Sequence, residues 1–362
     1  MLTAVGGCAL LAVVLLAASR ERGEASLEPL LERVTEAGAP GVLLFVRDGS
    51  EIRSDVRGIA DRDRARPVRA GDRFRVGSVT KTFVATIVLQ LVGEGRLRLD
   101  DTVEERLPGV VPGGRRITVR QLLSHTSGLF DYVDDPRVFA PYAQEPAYAW
   151  DPRRLVEIGV AHPPPFPPGQ RFAYSSTNYL LLGLIVEAAT GTSLEAQLRE
   201  RIFEPLGLGQ TTFAPHFVSG PFVHGHRPPS HQGVVTGPPV DISREAASWT
   251  WAAGAIVSSA DDLRRFFATL LGGQLLPPGL LREMETLVPA GYQRYGLGLA
   301  VFPTPCGDAW GHTGNVQGTV TVAWNRRDAS RQVVLVVNAY PLSGELEAAV
   351  RRLQIAAFCS TD

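Results

Sequence analysis

Residues 77–83 read Gly-Ser-Val-Thr-Lys-Thr-Phe and open an apolar segment that predicts a helix over Thr80–Val92. Ser78 and Lys81 are three residues apart, and side chains at this spacing share one face of a helix. The Lys81 amine can therefore reach the Ser78 hydroxyl, which is a weak nucleophile until a base accepts its proton. Lysine can be that base because burial lowers its pKa, whereas arginine stays protonated. Backbone N–H groups at the helix start would also favour negative charge beside an acylated Ser78.

The composition of the chain singles out Lys81. Of 362 residues 36 are basic, and Lys81 is the one lysine among 35 arginines. Asparagine is scarce too, so we attribute the bias to a GC-rich genome, in which a retained lysine marks a need for lysine chemistry. The formal net charge of −1 argues against a nucleic acid or an anionic membrane as partner, since either would require a basic face. The 44% hydrophobic and 20% charged content is that of an ordinary globular chain.

The first residues carry the pattern of a targeting segment. Leu2–Ala18 is almost wholly apolar, at the short limit for a membrane span and typical of a signal peptide. We expect residues 1–25 to be a signal peptide or an N-terminal anchor, and the protein to be extracytoplasmic, either secreted or membrane-anchored. Two cysteines then remain, Cys306 and Cys359. An even pair in an exported chain forms a disulfide or stays as two buried thiols.

The order of the predicted elements indicates the fold. A helix from Ser26 and a hairpin, with strands at Gly41–Arg47 and on through Val56, precede a long helical region. Strands and a final helix return near the C-terminus. Further helices are expected over 119–123, 179–189 and 194–203, and strands over 318–324 and 332–337. This order predicts an α/β (α+β) fold of two lobes, in which an antiparallel sheet is flanked by the terminal helices. Within one domain over 26–362, we expect a sheet lobe (about 26–75 and 240–362) and an inserted, mostly helical lobe (about 76–239), with a cleft between them.

Two later motifs could complete a site around Ser78. Tyr174-Ser175-Ser176 precedes an apolar helix, and a phenol beside a lysine ammonium can ionise and shuttle protons. His312-Thr313-Gly314 offers a cationic or donor group, a hydroxyl and close backbone approach. The backbone N–H of Asn315 would then be a second oxyanion donor beside that of Ser78. Taken alone, each motif is explained as well by packing.

The three motifs together, in this order, resemble those of the penicillin-recognising serine hydrolases. The nearer resemblance is to the branch with tyrosine in the second motif and His-Thr-Gly in the third. That branch contains the secreted serine D-Ala-D-Ala carboxypeptidases, to which the chain is most similar, the class C β-lactamases and related esterases. Four flanking segments extend the resemblance over about residues 28–359: LLSHTSGL at 122–129, FEPLGL at 203–208, WTWAAG at 249–254 and YGLGL at 295–299.

The resemblance implies a role for each matching residue. Ser78 would be the acylated nucleophile, Lys81 its proton acceptor and Tyr174 the proton shuttle in acylation and deacylation. Cys306 and Cys359 match a disulfide of the secreted carboxypeptidase branch. The residues implied to bind substrate are Ser176, Trp249, His312, Thr313, Gly314 and Asn315. No cofactor is implied, and the expected partner of a monomeric enzyme is a small peptide, ester or amide, such as a peptidoglycan stem peptide or a β-lactam.

Three positions depart from the branch. Ser176 stands where asparagine is usual, and the shorter serine could reach a substrate through water. Ala300 follows the YGLGL segment where the carboxypeptidases have an arginine that grips the free carboxylate, and alanine cannot replace this bidentate pairing. Asn315 stands where threonine lies near the same carboxylate. The acylating residues therefore match the branch, while the carboxylate clamp does not.

We predict an exported serine hydrolase that forms an acyl-enzyme on Ser78, with D-Ala-D-Ala carboxypeptidase-like cleavage as the first hypothesis. The alternatives are an esterase or amidase without a free-carboxylate requirement, a β-lactamase, and a silent cell-envelope binding module. The retained Ser78, Lys81 and Tyr174 argue against the silent module, since it would have no chemical reason to keep all three.

A histidine-rich segment raises the question of a metal site. It is rich in proline and glycine, and metal binding would need further ligands at defined geometry. We therefore interpret it as an exposed loop and expect no metal there; its histidines are His216, His224, His226 and His231. The carboxylates of Asp241 and of Asp261-Asp262 are expected in turns, without a chemical role.

Overall fold

The computed structural model describes residues 26–228, 230–231, 234–235, 237–342 and 344–360, so the predicted targeting segment at Leu2–Ala18 lies outside the described residues. Within these ranges the α-helices are α1 (Glu28–Glu36), α2 (Thr80–Gly93), α3 (Val103–Arg106), α4 (Val119–Leu123), α5 (Pro152–Val160), α6 (Thr177–Thr190), α7 (Leu194–Leu198), α8 (Ala260–Leu271), α9 (Pro278–Met284) and α10 (Gly344–Cys359). The strands are β1 (Gly41–Asp48), β2 (Glu51–Asp61), β3 (Arg66–Pro67), β4 (Phe74–Arg75), β5 (Thr212–Phe213), β6 (His226–Arg227), β7 (Ser230–His231), β8 (Val234–Val235), β9 (Val240–Asp241), β10 (Ile256–Ser258), β11 (Val288–Ala290), β12 (Gln293–Tyr295), β13 (Ala300–Thr304), β14 (Gly307–Val316), β15 (Thr319–Asn325) and β16 (Arg331–Val337).

Nine of these strands form one antiparallel sheet in the spatial order β11-β12-β13-β14-β15-β16-β1-β2-β3. β1 lies between β2 and β16, with Val42 opposite Val337 and Asp48 opposite Arg331. The two ends of the chain therefore meet inside the sheet. The predicted fold class, a large antiparallel sheet combined with helices, is confirmed.

Both faces of this sheet are buried, which explains why its central strands are apolar at successive positions. Leu43 and Phe45 of β1 pack into the core shared with α2, α6 and α8. Their neighbours Val42 and Leu44 point to the opposite face and pack with α1 and α10. Successive side chains of a strand alternate between faces, so a strand covered on both sides reads as a continuous apolar run.

The helix that follows Ser78 is fixed by burial. Eleven of the fourteen residues of α2 are buried. α2 packs against α6, in which ten of the fourteen residues are buried. A helix that is apolar around its whole circumference belongs in a core. The N-terminal end of α2 is thereby held rigidly at the boundary between helices and sheet.

Two expectations differ from the structure in detail. β2 continues to Asp61, well beyond the expected end near Val56. Asp261 and Asp262 were expected in a turn, but they occupy the first turn of α8. The Ser259 side chain caps this helix by accepting a hydrogen bond from the Asp262 N–H at 3.2 Å, and a serine in that position is a start signal that the sequence carried.

Two further features concern the molecule as a whole. A disulfide joins Cys306, in the turn between β13 and β14, to Cys359 at the end of α10. Among the described residues no single helix has the length and hydropathy of a membrane span, although Thr177–Thr190 and Leu194–Phe203 meet the criteria as a pair bent by 85°.

Candidate active site

Ser78 and Lys81 meet where a short 3₁₀ turn, Gly77–Val79, runs into α2. The Lys81 Nζ donates to the Ser78 Oγ at 3.0 Å and to the Ala253 carbonyl oxygen at 2.8 Å. Lys81 is only 1% exposed. The i, i+3 spacing thus places the amine beside the hydroxyl, as the sequence predicted.

The protonation of Lys81 is set by its burial. Burial lowers the pKa of Lys81 to about 7, and the nearby Asp131 carboxylate partly offsets this effect. Taking an ammonium out of water disfavours its charged form. Near neutral pH a large fraction of the molecules therefore carries a neutral Lys81 amine that can accept the Ser78 proton.

Tyr174 stands beside this pair, and its burial influences the protonation of its hydroxyl. Its side chain is 37% exposed, yet the hydroxyl lies in the buried site near Ser78, and burial raises the pKa of the phenol. The Lys81 Nζ lies 5.0 Å from the centre of the Tyr174 ring. Burial therefore disfavours the ionised phenol that the sequence allows beside a lysine ammonium, and favours the neutral hydroxyl. Tyr174 is a neutral hydroxyl that can relay a proton.

His125 forms the platform under Tyr174. Their ring centres are 4.2 Å apart with the planes inclined by 27°. The His125 Nδ1 accepts from the Ser175 N–H at 3.2 Å, and its carbonyl oxygen accepts from the Ala173 N–H at 2.9 Å. The sequence placed His125 in a turn without a catalytic role; the turn is present, and it also orients the segment that carries Tyr174.

β14 supplies the backbone opposite Ser78. A Cβ on Gly314 would lie 1.9 Å from the Val76 carbonyl oxygen and 2.8 Å from the Ser78 nitrogen. A Cβ on Gly77 would likewise lie 2.8 Å from the Asn315 nitrogen. Glycine is required at both Gly77 and Gly314, because the two backbone segments approach too closely to leave room for a Cβ atom. This contact brings the Ser78 and Asn315 amides together, as an oxyanion site requires.

His312 of β14 is a neutral residue. Burial and the charge of Lys81 lower the pKa of His312 to about 3. Its Nδ1 donates to the Thr313 carbonyl oxygen, and its Nε2 lies 2.9 Å from the Tyr295 hydroxyl, which then donates to it. Of the two alternatives offered by the sequence, a cationic or a donor group, the cation is excluded. His312 instead holds the end of β14 against Tyr295.

The residues around Ser78 line a cleft of about 480 Å³. The predicted site residues that line it are Ser78, Lys81, Tyr174, Ser176, Trp249, His312, Thr313 and Asn315. Gly314 lies behind the wall, where it touches Val76 and Ser78. The structure therefore brings the predicted set together around one nucleophile.

Ala300 also lines the cleft, and it is buried on β13 opposite Gly311. At the rim, Arg227 pairs with Glu245 at 3.3 Å. Among the described lining residues, the basic side chains are Lys81, Arg227 and His312. Of these, Lys81 is bound to Ser78 and His312 is neutral, so Arg227, paired with Glu245, is the remaining basic side chain among the described lining residues.

Sequence reasoning did not identify Asp131 or Tyr295 as site residues, although both line the cleft. Tyr295 was quoted only as part of the YGLGL segment. Asp131 follows the LLSHTSGL segment by two residues. Its position so close to a family motif was the signal that could have identified it as a site residue.

The histidine-rich segment is not simply an exposed loop. His226 is fully buried, and the His224 Nδ1 lies 2.8 Å from the Asp241 carboxylate. His216 is exposed, and the side chain of His231 lies outside the described part. In the described part of the chain, no three of the residues His, Cys, Asp and Glu are grouped as a metal site would need.

The site combines a serine hydroxyl, a buried lysine at the same helix start, a tyrosine hydroxyl and two neighbouring backbone amides, which are the groups that a serine acyl-transfer enzyme needs. The Beta-lactamase family model matches residues 27–357, and the chain belongs to this family. The resemblance stated from the motifs is thereby confirmed, and with it the assignment as a serine hydrolase.

Relatives within the family have several activities in their names. A D-stereospecific amidohydrolase from Streptomyces sp. is 35% identical, with a TM-score of 0.83 over 94% of this chain and 99% of that chain. A D-amino acid amidase from Ochrobactrum anthropi SV3 is 25% identical, with a TM-score of 0.82 over 91% and 96%. Penicillin-binding protein 4 of Amycolatopsis lactamdurans is 36% identical over 186 residues, 50% of this chain and 46% of that protein. The matches span only 46% to 63% of the first curated relatives.

Proposed function

We propose that the chain hydrolyses amides and peptides of D-amino acids through an acyl-enzyme on Ser78, without a requirement for a free C-terminal carboxylate. The observation that carries this proposal is the charge of the cleft, in which Ala300 leaves no basic group where the carboxypeptidases hold the terminal carboxylate. The two solved relatives, an amidohydrolase and an amidase, support the same substrate class.

The geometry supports the following reaction. The Ser78 Oγ attacks the amide carbonyl carbon while the Lys81 Nζ accepts the hydroxyl proton, and the Ser78 and Asn315 amides hold the oxyanion. The C–N bond then breaks, and the amine leaves with a proton passed from Lys81 through Tyr174. Water attacks the acyl-enzyme and gives a proton to the same relay. Ser78 recovers a proton as the carboxylic acid leaves.

A matched pair of peptides tests the proposal. We expect D-Ala-D-Ala and its C-terminal amide to be hydrolysed with kcat/KM values within about 10-fold, since Ala300 cannot form a charge-assisted bond to the carboxylate and Arg227 stays paired with Glu245. Ser78→Ala should abolish both reactions. Intact-mass analysis with a fluorescent penicillin should show one adduct on the wild-type protein and none on that variant.

The second candidate is the D-Ala-D-Ala carboxypeptidase-like activity, and Arg227 is the observation that favours it. This arginine lines the cleft, and its partner Glu245 lies at 3.3 Å on the rim, so it could turn to a substrate carboxylate. A preference for the free acid of about 100-fold or more, lost in Arg227→Gln, would replace the amidase proposal with this one.

We also propose that the protein works outside the cytoplasm. The apolar pattern of Leu2–Ala18 supports this, and a disulfide is typical of oxidising compartments. Fractionation of cells that express the full chain, with a Leu11→Arg variant to break the apolar segment, tests it. Recovery of the unaltered chain only in the cytoplasm would contradict export.

A further inference from the structure

The inference concerns Asp131, a carboxylate that lines the cleft beside the acylating residues. Its side chain accepts hydrogen bonds from two backbone amides, Val133 N–H at 3.3 Å and Ser176 N–H. Its charge acts on both Lys81 and Tyr174. Asp131 therefore shares the wall of the cleft that carries the second motif.

Asp131 has no cationic partner at contact distance within the described part of the chain, and this distinguishes it from comparable residues. Every other described aspartate that is buried or half-buried has an arginine or histidine nitrogen within 4.0 Å: Asp48, Asp55, Asp61, Asp72, Asp101, Asp135, Asp241, Asp261 and Asp262. In a chain with 35 arginines, a cation was readily available. Because no such cation contacts Asp131 among the described residues, its carboxylate remains available to a cationic ligand.

Lys81 does not fill this place. Its Nζ is bonded to the Ser78 Oγ and to the Ala253 carbonyl oxygen, and it makes no ion pair with Asp131 within 4.0 Å. Burial raises the pKa of Asp131, and the charge of Lys81 and the two backbone amides offset only part of this effect, since the half-buried carboxylate loses hydration without gaining a cation in contact. A cation that enters the cleft would give the Asp131 carboxylate the electrostatic stabilisation that it loses with its hydration.

We propose that Asp131 selects substrates with a free α-ammonium group on the acyl side of the scissile bond, so that the enzyme acts as an aminopeptidase or amino acid amidase. This assignment rests on the proposed function. The α-ammonium is one carbon from the carbonyl that Ser78 attacks, and a carboxylate on the same wall can form a charge-assisted hydrogen bond with it. An N-acylated substrate offers a neutral amide at that point and leaves Asp131 desolvated and without a cation. This penalty discriminates against the acylated substrate more strongly than the loss of an exposed hydrogen bond would.

The test compares D-alanine p-nitroanilide with N-acetyl-D-alanine p-nitroanilide at pH 7, where most of the α-amine remains protonated. Asp131→Asn keeps the shape and an oxygen that can accept from Val133 N–H, but it removes the charge. We expect its kcat/KM for the free amine to fall about 10- to 100-fold, mainly through KM, while that for the acetylated substrate stays level or rises. Asp134→Asn, an exposed position in the same turn, should change neither.

The same variant removes a charge that favours protonated Lys81, so the acid limb of the pH profile should move to lower pH for both substrates equally. That shared shift cancels in the ratio of the two kcat/KM values. An unchanged ratio in Asp131→Asn would refute the assignment of Asp131 and leave the proposed function standing. If the wild-type protein hydrolyses neither anilide although Ser78 is acylated by a penicillin, the proposed function fails and this inference fails with it.

Discussion

At the scale of single residues, burial decides which group in the site is the base. Burial lowers the pKa of Lys81 to about 7 and raises that of Tyr174. Lys81 can therefore be a neutral base near pH 7, while Tyr174 stays protonated and can relay a proton. Desolvation favours the uncharged form of each. The division of roles between Lys81 and Tyr174 thus follows from desolvation alone, because it acts on one group that is cationic when protonated and on one that is anionic when deprotonated.

This division makes the pH dependence of acylation predictable. Because the neutral amine is the reactive form, its fraction grows as pH rises through the Lys81 pKa. We expect the rate of Ser78 acylation by p-nitrophenyl acetate to rise through pH of about 7 and to level off above it. Burst kinetics between pH 5 and pH 9, as a range about two units on each side of that pKa, provide the measurement.

Lys81→Arg serves as the contrast, because arginine keeps the charge but cannot accept the proton. Acylation should then fall by about 10³-fold or more at every pH. Arg282→Lys, an exposed change on α9, should leave the profile as it is. A flat wild-type profile together with an active Lys81→Arg variant would show that another group is the base.

The residue scale also shows what local patterns can predict. The Ser78–Lys81 contact was predictable because it depends only on helical spacing. The role that we propose for Asp131 was not, because a carboxylate without a cationic partner among the described residues is recognised only when the partners of the other aspartates are known. The neutral state of His312 likewise required its burial and its contact with Tyr295.

At the scale of elements, the contact between the 3₁₀ turn Gly77–Val79 and β14 brings together the two backbone amides of the proposed oxyanion site. Two segments from distant parts of the sequence approach with backbone against backbone, and glycine on each side permits the distance. The apolar runs of β1 and β16 were predictable, since strands buried on both faces read as such. The bounds of β13 and β14 were not predicted, because Pro303 and the glycines of β14 weaken the strand pattern, and pairing with neighbouring strands then imposes the extended conformation.

Gly314→Ala tests this contact. Its Cβ would meet the Val76 carbonyl oxygen at 1.9 Å, so β14 must move away from Ser78. We expect acylation to fall about 10²- to 10³-fold, as for the loss of an oxyanion donor, and the free energy of unfolding to fall by about 1–3 kcal/mol. Burst kinetics and urea unfolding provide the two measurements.

Gly71→Ala is the matched control, because a Cβ there meets nothing within 4 Å and its φ lies outside the left-handed range. It should leave both quantities close to those of the wild-type protein. Full acylation by Gly314→Ala would mean that the Ser78 and Asn315 amides are not the oxyanion donors.

At the scale of the whole molecule, the Cys306–Cys359 disulfide fastens the C-terminal helix to the sheet across 53 residues. Neither cysteine lines the cleft. Cys359→Ser should therefore lower the free energy of unfolding by about 2–4 kcal/mol and leave kcat/KM at 25 °C unchanged. Urea unfolding with and without dithiothreitol provides the measurement.

The reductant serves as the internal control for this prediction. It should destabilise the wild-type protein to the level of Cys359→Ser and leave that variant unaffected. Equal stability of the oxidised and reduced wild-type protein would mean that the cross-link does not contribute to stability in solution.

The order in which the sheet is built has a consequence for biosynthesis. β1 and β2 leave the ribosome first, but β1 pairs with β16, and the strand that faces Ser78 is made after the whole helical region. Such non-local pairing slows folding and delays it until late strands exist. The nucleophile therefore stays inert on the nascent chain, and a chain truncated before β14 would lack the Asn315 amide entirely. Acylation of Ser78 is therefore expected only after β14 has been synthesised and has packed against the 3₁₀ turn Gly77–Val79.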